Sequence, residues 1–448
     1  MKIIIIGAGP GGYETALEAA RRGHEVILFN GDRLGGTCLN EGCIPTKCLC
    51  KNAEIISEFK EADLFGIDDF TFALDFNKVV ERKRAVVESL RAGIDTMLKA
   101  AKVNVVNAKA SFKDASTVLA DGVEYTADRI IIATGSYSRS LNIEGANLSC
   151  VKDSTQMLDI EYIPESLTII GGGVIGMEFA SIFASFGSKV TVIEFMKQIL
   201  PPFDADIAKR LKQALSKKGI DIVTGAAAKK IEQNEDYEIT VTYDVKGQEH
   251  SVTSTDVLMA VGRAPRVEGL NLEAAGVTYS PKGIAVDDNM LTNVENIYAI
   301  GDVNAKMMLA HVASFQGIRA LDHIEGKSDD IRFDVVPSAV FVVPECGMVG
   351  MTESECKEKG IEIRKGVSFF RANGKALALG SPEGICKLLF RKDNGLLIGA
   401  HIMGVQAADL AQQCADLINA NCTLDKMKNI IFGHPTISEV LMSALHNA

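Results

Sequence analysis

The sequence predicts an α/β fold in which one strand–turn–helix–strand unit occurs twice and an α+β segment follows. Three observations carry this. Gly7-Ala8-Gly9-Pro10-Gly11-Gly12 follows the apolar run Lys2–Ile6, and Gly171-Gly172-Gly173-Val174-Ile175-Gly176 follows the apolar run 167–170. After each turn comes a helical pattern (13–22 and 177–186), a glycine that stops it (Gly23 and Gly187), and a second apolar strand (25–29 and 189–193). The interval from the first glycine to the residue closing the second strand is the same 23 positions, Gly7 to Asn30 and Gly171 to Glu194. Beyond about residue 333 the texture changes. Residues 386–391 and 396–403 flank Lys392-Asp393-Asn394-Gly395, whose Asn-Gly pair signals a hairpin, and helical patterns follow over 407–419 and from Ser438 onward.

Between the two units, 44–59 and 77–100 have helical periodicity. The second places Val79, Val80, Val86, Val87, Leu90, Ile94, Met97 and Leu98 on one stripe. Residues 130–135 and 297–302 read as short buried strands that end in small residues.

Composition bounds the function. At about 100–200 residues per domain, 448 residues make two to four domains. Apolar content of 47% with 23% charged residues excludes wholesale disorder. The net charge of −11, without any Lys/Arg block, argues against nucleic acid and anionic membranes as partners. No apolar run approaches the ~18–20 residues of a membrane span. The opening isoleucines are too soon interrupted for a secretory signal. Eight of the ten cysteines have no partner spacing, as expected of free thiols in a reducing cytoplasm.

One G-x-G-x-x-G is weak evidence; two in full context with matched spacing predict two Rossmann-like dinucleotide-binding domains. The free N–H groups and positive dipole end of each helix can hold a pyrophosphate. That assigns Gly7, Gly9 and Gly12 to one nucleotide and Gly171, Gly173, Ile175 and Gly176 to the other. The residue closing the second strand is placed to bond the adenosine ribose. Glu194 accepts from ribose hydroxyls and repels a 2′-phosphate, which favours NAD over NADP. Asn30 can bond a ribose but brings no charge.

Cys38 and Cys43 lie within Gly35-Gly36-Thr37-Cys38-Leu39-Asn40-Glu41-Gly42-Cys43-Ile44-Pro45-Thr46-Lys47. Positions i and i+5 of a regular helix are ~7.5 Å apart along the axis alone, whereas a disulfide wants Cα atoms within ~6.8 Å. A bridge therefore needs a distorted helix start, which Gly42 and Pro45 allow, and would be readily reduced. Separate buried thiols and half of a metal site are the competing readings. No second Cys/His pair with zinc-like spacing accompanies them, so no metal is expected.

With these residues in hand, the chain resembles the pyridine nucleotide–disulfide oxidoreductases, and within them is most similar to the dihydrolipoamide dehydrogenases. The resemblance runs through both glycine turns, Gly35–Lys47, Ala133-Thr134-Gly135, Gly262-Arg263, Gly301-Asp302, Leu309-Ala310-His311, Asn373-Gly374-Lys375-Ala376 and His434-Pro435-Thr436. It implies FAD on a first domain split between 1–145 and 261–333, NAD on 146–260, and a dimerisation domain over 334–448. It implies an enzyme that passes two electrons from protein-bound dihydrolipoyl groups, through a Cys38–Cys43 disulfide and flavin, to NAD⁺. Its partners would be a second copy of the chain and the lipoyl-bearing protein of a 2-oxoacid dehydrogenase or glycine-cleavage complex. Cys38 would be the interchange thiol and Cys43 the thiolate against the flavin. Lys47 would lie beside the flavin, paired with Glu178. Gly36, Thr37, Thr134, Gly135, Asp302, Leu309, Ala310 and His311 would contact FAD, with Asp302 on the ribityl chain, and Gly262 would contact NAD. His434 and Glu439 would form the acid–base pair, although Thr436-x-x-Glu439 also reads as a capping box.

The chain departs from the family at Asn30, usually acidic, in the proline-poor segment 136–145, and at Phe432, where a histidine often stands. Glutathione-type reductases, which favour NADPH, fit Glu194 less well. A flavoprotein acting only as a redox sensor or docking component is the alternative of a different class.

Overall fold

The computed structural model describes residues 1–69 and 71–448. Three five-stranded sheets organise it. The first is parallel, in the spatial order Ile297–Ala299, Arg129–Ile132, Lys2–Ile6, Glu25–Phe29, Asn104–Val106. Its outermost strand comes from residues far beyond the second sheet, so the chain leaves this sheet and returns to it. The second is also parallel, ordered Asp221–Thr224, Lys189–Glu194, Ser166–Ile170, Asp256–Met259, Val151–Lys152. Both sheets have isoleucine- and valine-rich central strands because both of their faces are covered.

The third sheet is antiparallel, ordered Ser338–Val340, Cys346–Gly350, Leu397–Met403, Ile385–Arg391, Ile363–Phe369. The expected hairpin joins Ile385–Arg391 to Leu397–Met403, and Gly395 takes the left-handed φ of +72° that closes it. The helices Ala407–Asn419 and Glu439–His446 bury Leu410, Cys414, Leu441 and Leu445 in a core shared with the sheet.

Helix Phe76–Ala100 corrects part of the predicted stripe. Val79, Val80, Val87, Ile94 and Leu98 are buried, but Leu90 and Met97 are exposed. Val79 belongs to the core beneath the second sheet, whereas Val87, Ile94 and Leu98 belong to that of the first. The helix passes from one core to the other along its length, so its buried residues do not form a single continuous stripe. No helix among the described residues is long and apolar enough to cross a membrane.

Candidate active site

Each glycine turn is held by backbone contact. Gly7 has φ +111°, and a Cβ there would lie 2.3 Å from the carbonyl oxygen of Ala133. A Cβ on Gly12 would lie 1.8 Å from the Gly7 oxygen, and one on Gly176 2.0 Å from the Gly171 oxygen. Gly12 and Gly176 therefore sit under the turns, drawing helix onto strand, while Gly7, Gly9, Gly171, Gly173 and Ile175 line one cleft. Gly9 and Gly173 are the N-caps of helices Pro10–Arg21 and Val174–Phe186, and neither helix start has a side-chain cap. Their first N–H groups are left for a ligand.

The cleft measures about 2310 Å³. A drug-sized ligand needs only ~300–1,000 Å³, so the volume has room for two dinucleotides. Asn30, Gly36, Thr37, Thr134, Gly135 and Asp302 line it on the side of the first sheet, as do Leu309, Ala310 and His311. Glu194 and Gly262 line it on the side of the second. A side chain on Gly9, Gly135 or Gly173 would meet no atom closer than 3.9 Å and would take cleft space instead. The residues present thus fit a dinucleotide at each turn.

Glu194 is fixed at both oxygens, Oε2 accepting from the Gly172 N–H and Oε1 from the Met196 N–H, each at 2.5 Å. Asn30 donates to Asn107 Oδ1 at 2.8 Å. Ser136 donates to Asp302 Oδ2 at 2.5 Å and accepts from Arg263 Nε at 2.7 Å. Ser136 had no motif to reveal it; the Gly262-Arg263 dipeptide was the available signal. His311 opens helix Ala310–Ile324, and the crowding around it pushes its imidazole below the ordinary range.

Cys38 lies in helix Gly36–Glu41 and Cys43 begins helix Cys43–Lys60. The break between them is Gly42, at φ −147° and ψ −112°. A Cβ at Gly42 would meet the Thr37 oxygen at 3.0 Å. This is the distortion that the five-residue spacing requires, and it leaves the two unbridged thiols near enough to shift each other's ionisation.

Donation to Cys43, with burial and the charge of Cys43, pushes the Cys38 thiol well up. Cys43 is lowered to about 7, chiefly by the bond from Cys38 and, against burial, by the Lys47 ammonium. Its place at a helix start acts in the same direction. In dithiol-reduced protein, thiolate absorbance taken as a difference against Cys43→Ser is therefore expected to fall with a midpoint near 7 as pH is lowered. A midpoint near the ordinary thiol value of about 8.5 would show that Cys38 and Lys47 do not act on it.

Lys47 Nζ lies 2.9 and 3.0 Å from the two oxygens of Glu178, a residue only 4% exposed. Burial works against the Lys47 charge, but Glu178 outweighs it and holds the ammonium above its usual range. Glu178 Oε1 also accepts from the Phe341 N–H at 3.0 Å, and Lys47 Nζ lies 4.6 Å from the centre of the Phe341 ring. Segments attached to all three sheets, two helices and the residue after strand Ser338–Val340, thus meet at one carboxylate. Phe341 is 163 residues from Glu178 in sequence, and nothing in the spacing announced it.

His434 and Glu439 are together but not in this chain's cleft. His434 Nδ1 is 3.0 Å from Glu439 Oε1, and Glu439 Oε2 accepts from the Thr436 N–H at 2.9 Å. The carboxylate orients the imidazole, but the capping box read at Thr436 does not form: helix Glu439–His446 has Ser438 as its N-cap, and Thr436 Oγ1 donates to the Gly433 carbonyl instead. Thr436 and His434 hold it below the usual carboxylate range. The imidazole itself is 79% exposed. Among the described residues, no group of three or more His, Cys, Asp or Glu is arranged to hold a metal ion.

Residues 1–317 match the family described as "Pyridine nucleotide-disulphide oxidoreductase", and residues 336–445 match its dimerisation domain. The chain is 40% identical to a dihydrolipoyl dehydrogenase of Geobacillus stearothermophilus over 98% of this chain and 94% of that one. It is 37% identical to a dihydrolipoyl dehydrogenase of Haloferax volcanii over 100% and 96%. Among solved structures it resembles the HOCl-induced flavoprotein disulfide reductase RclA of Escherichia coli, with TM-score 0.89, 29% identity and coverage of 100% and 99%. It also resembles LpdA of Mycobacterium tuberculosis, with TM-score 0.92, 26% identity and the same coverage. With both glycine turns, the paired thiols and these matches across nearly its whole length, the chain belongs to the pyridine nucleotide–disulfide oxidoreductases.

Proposed function

We propose that the protein is an FAD-dependent dihydrolipoyl dehydrogenase that oxidises protein-bound dihydrolipoamide and reduces NAD⁺, releasing NADH and a proton. The observation that carries this reading is the single cleft in which Cys38, Cys43 and Lys47 lie with both glycine turns. The FAD-binding domain spans 1–145 and 261–333, NAD binds 146–260, and 334–448 forms the interface of a homodimer. FAD is held by Gly7, Gly9, Asn30, Gly36, Thr37, Thr134, Gly135, Asp302 and Leu309–His311. NAD is held by Gly171, Gly173, Ile175, Glu194 and Gly262. When bound, the flavin supplies the two-electron relay between the dithiol and the nicotinamide.

The chain's own residues handle the sulfur chemistry. Thiol–disulfide exchange proceeds fastest when the leaving sulfur has the lower pKa. With Cys43 lowered and Cys38 raised, a substrate thiolate attacking the oxidised pair bonds to Cys38 and expels Cys43 as thiolate. The Lys47 ammonium, fixed by Glu178, stabilises that charge. The second substrate thiol then displaces Cys38, and the lipoyl disulfide leaves. His434 takes the substrate proton, its tautomer set by Glu439. Its exposure, and its absence from this chain's cleft, favour service to the cleft of a partner subunit. The natural donor would be the lipoyl-bearing protein of a 2-oxoacid dehydrogenase or glycine-cleavage complex, in the cytoplasm.

A steady-state panel tests the reading: dihydrolipoamide with NAD or NADP, and glutathione disulfide with NADPH. Unit like charges ~4 Å apart at an effective dielectric of ~20 cost about 4 kcal/mol. Solvent screening at an open site reduces this to roughly one to three decades of preference for NAD in kcat/KM. Glu194→Arg is expected to narrow or invert the ratio. Equal use of NADP by the unsubstituted protein would remove Glu194 from the ribose, and faster turnover of glutathione disulfide would replace the substrate assignment.

A further inference from the structure

The third sheet carries a buried lysine that the sulfur chemistry leaves unused. Lys387, in strand Ile385–Arg391, is 2% exposed. Its ammonium lies 2.8 Å from Asp204 Oδ1, 2.8 Å from Asp206 Oδ2, and pairs with Glu353. The ammonium donates to the two aspartates and stands as an ion pair beside Glu353, so three carboxylates surround it. Of the three acids only Asp204 is itself buried, with a side chain 3% exposed against 61% for Asp206 and 32% for Glu353. Burial works against the Lys387 charge, but the three carboxylates outweigh it and hold the ammonium well above its ordinary range. His401 stands directly across from Lys387 in the adjoining strand. It is fully buried, bonds to the Met351 carbonyl at 2.9 Å, and is lowered by burial, so it adds no competing charge. A buried charge stripped of its partner is costly, which keeps the Lys387–Asp204 pair closed.

Asp204 belongs to the part of the chain that carries the second sheet, between strands Lys189–Glu194 and Asp221–Thr224. It is the N-cap of helix Ala205–Lys217, its Oδ1 also accepting from the Asp206 N–H at 3.1 Å. The residues just before it, Pro201, Pro202 and Phe203, line the large cleft. One residue earlier, the Leu200 N–H donates to the carbonyl of Gly172 in the second glycine turn at 2.8 Å. Leu200 holds φ at +47°, a left-handed conformation that a leucine keeps only where its surroundings impose it. A continuous line of contacts runs from Lys387 through Asp204 and the cleft wall to the glycine turn.

We propose that Lys387 is a positioning residue for the NAD half of the reaction, holding the 200–204 segment against the second glycine turn from the third sheet. This rests on the functional reading above, which seats NAD at that turn. Lys387 lines no part of the cleft itself, so its effect falls on nucleotide affinity and not on sulfur exchange. The test is Lys387→Met in the flavin-loaded protein. KM for NAD is expected to rise about tenfold. Anaerobic flavin reduction by dihydrolipoamide, which needs no NAD, is expected to keep its rate. Lys387→Arg, which keeps the charge, recovers part of the lost affinity. An unchanged KM in folded Lys387→Met overturns the proposal, as does an equal loss in both half-reactions. If Lys387→Met does not fold, Asp204→Asn keeps a capping side chain and removes the charge. A roughly threefold higher KM with unchanged flavin reduction then supports the proposal, and an unchanged KM overturns it. If the unsubstituted protein fails to reduce NAD, the functional reading falls and takes this inference with it. If it reduces NAD and the variants bind it equally well, only the inference falls.

Discussion

Mixing His434→Gln protein with Cys43→Ser protein is expected to restore turnover that neither variant has alone. Losing a general base costs roughly 10²–10⁴ in rate, and losing one sulfur of the pair removes the disulfide altogether, so both parents should be nearly inactive while retaining flavin. His434 is exposed and lies outside the cleft that holds Cys38 and Cys43. It belongs to the segment matching the family's dimerisation domain. A two-fold interface presents the same patch twice, so each histidine would serve the other chain's sulfur pair. In a hybrid dimer one site carries both lesions and the other carries neither. Equal amounts reassociating at random make about half of the dimers hybrid, with one working site each, so the mixture should reach about a quarter of the normal rate. The measurement is dihydrolipoamide-driven NADH formation after subunit exchange, with hybrids verified by differently tagged chains. Verified hybrids without activity would show that each chain uses its own histidine.

The second large effect separates the two nucleotide sites by a single methyl group each. A Cβ at Gly12 would stand 1.8 Å from the Gly7 carbonyl oxygen, and one at Gly176 would stand 2.0 Å from that of Gly171. Neither contact is survivable without lifting the helix off its strand, since close-packed interiors cannot absorb more than an ångström of overlap. Gly12→Ala should therefore purify colourless, or with flavin lost on gel filtration. Gly176→Ala should stay yellow and still be reduced by dihydrolipoamide, while its kcat/KM for NAD falls by about 10² or more. Absorbance spectra and the two half-reactions read this directly. A Gly12→Ala protein that keeps stoichiometric flavin would show that the first turn is not its seat.

These contrasts show what the sequence discloses and what it withholds. The two parallel sheets were legible because a glycine turn after an apolar strand is a local signal, repeated at one interval. The helix starts were placed three residues late, at Tyr13 and Met177, where the structure has Pro10 and Val174. The turn glycines already belong to the first helical turn, and glycine composition hides that. The strained step between Cys38 and Cys43 followed from helix geometry alone, with Gly42 as its location. The Lys47–Glu178 pair and the His434–Glu439 pair came from family resemblance, and both meet at hydrogen-bond distance. Exposed Leu90 and Met97 were not foreseen, because periodicity reports a helix face and not how many cores flank it. Ser136 on Asp302, the Phe341 N–H on Glu178 and Lys387 on Asp204 join residues more than a hundred positions apart, and no local pattern encodes such pairs.

The Phe341 N–H on Glu178 also has a meaning in time. During synthesis, Cys38 and Cys43 leave the ribosome long before Phe341 is made. At ~5–20 residues per second, the intervening stretch of about three hundred residues takes roughly 15–60 s. For the first part of that interval Glu178 is not yet made, and for the rest it fixes the Lys47 ammonium without the backbone donor that completes its shell. Until the third sheet docks, the carboxylate that fixes Lys47 therefore has one donor fewer than in the finished fold.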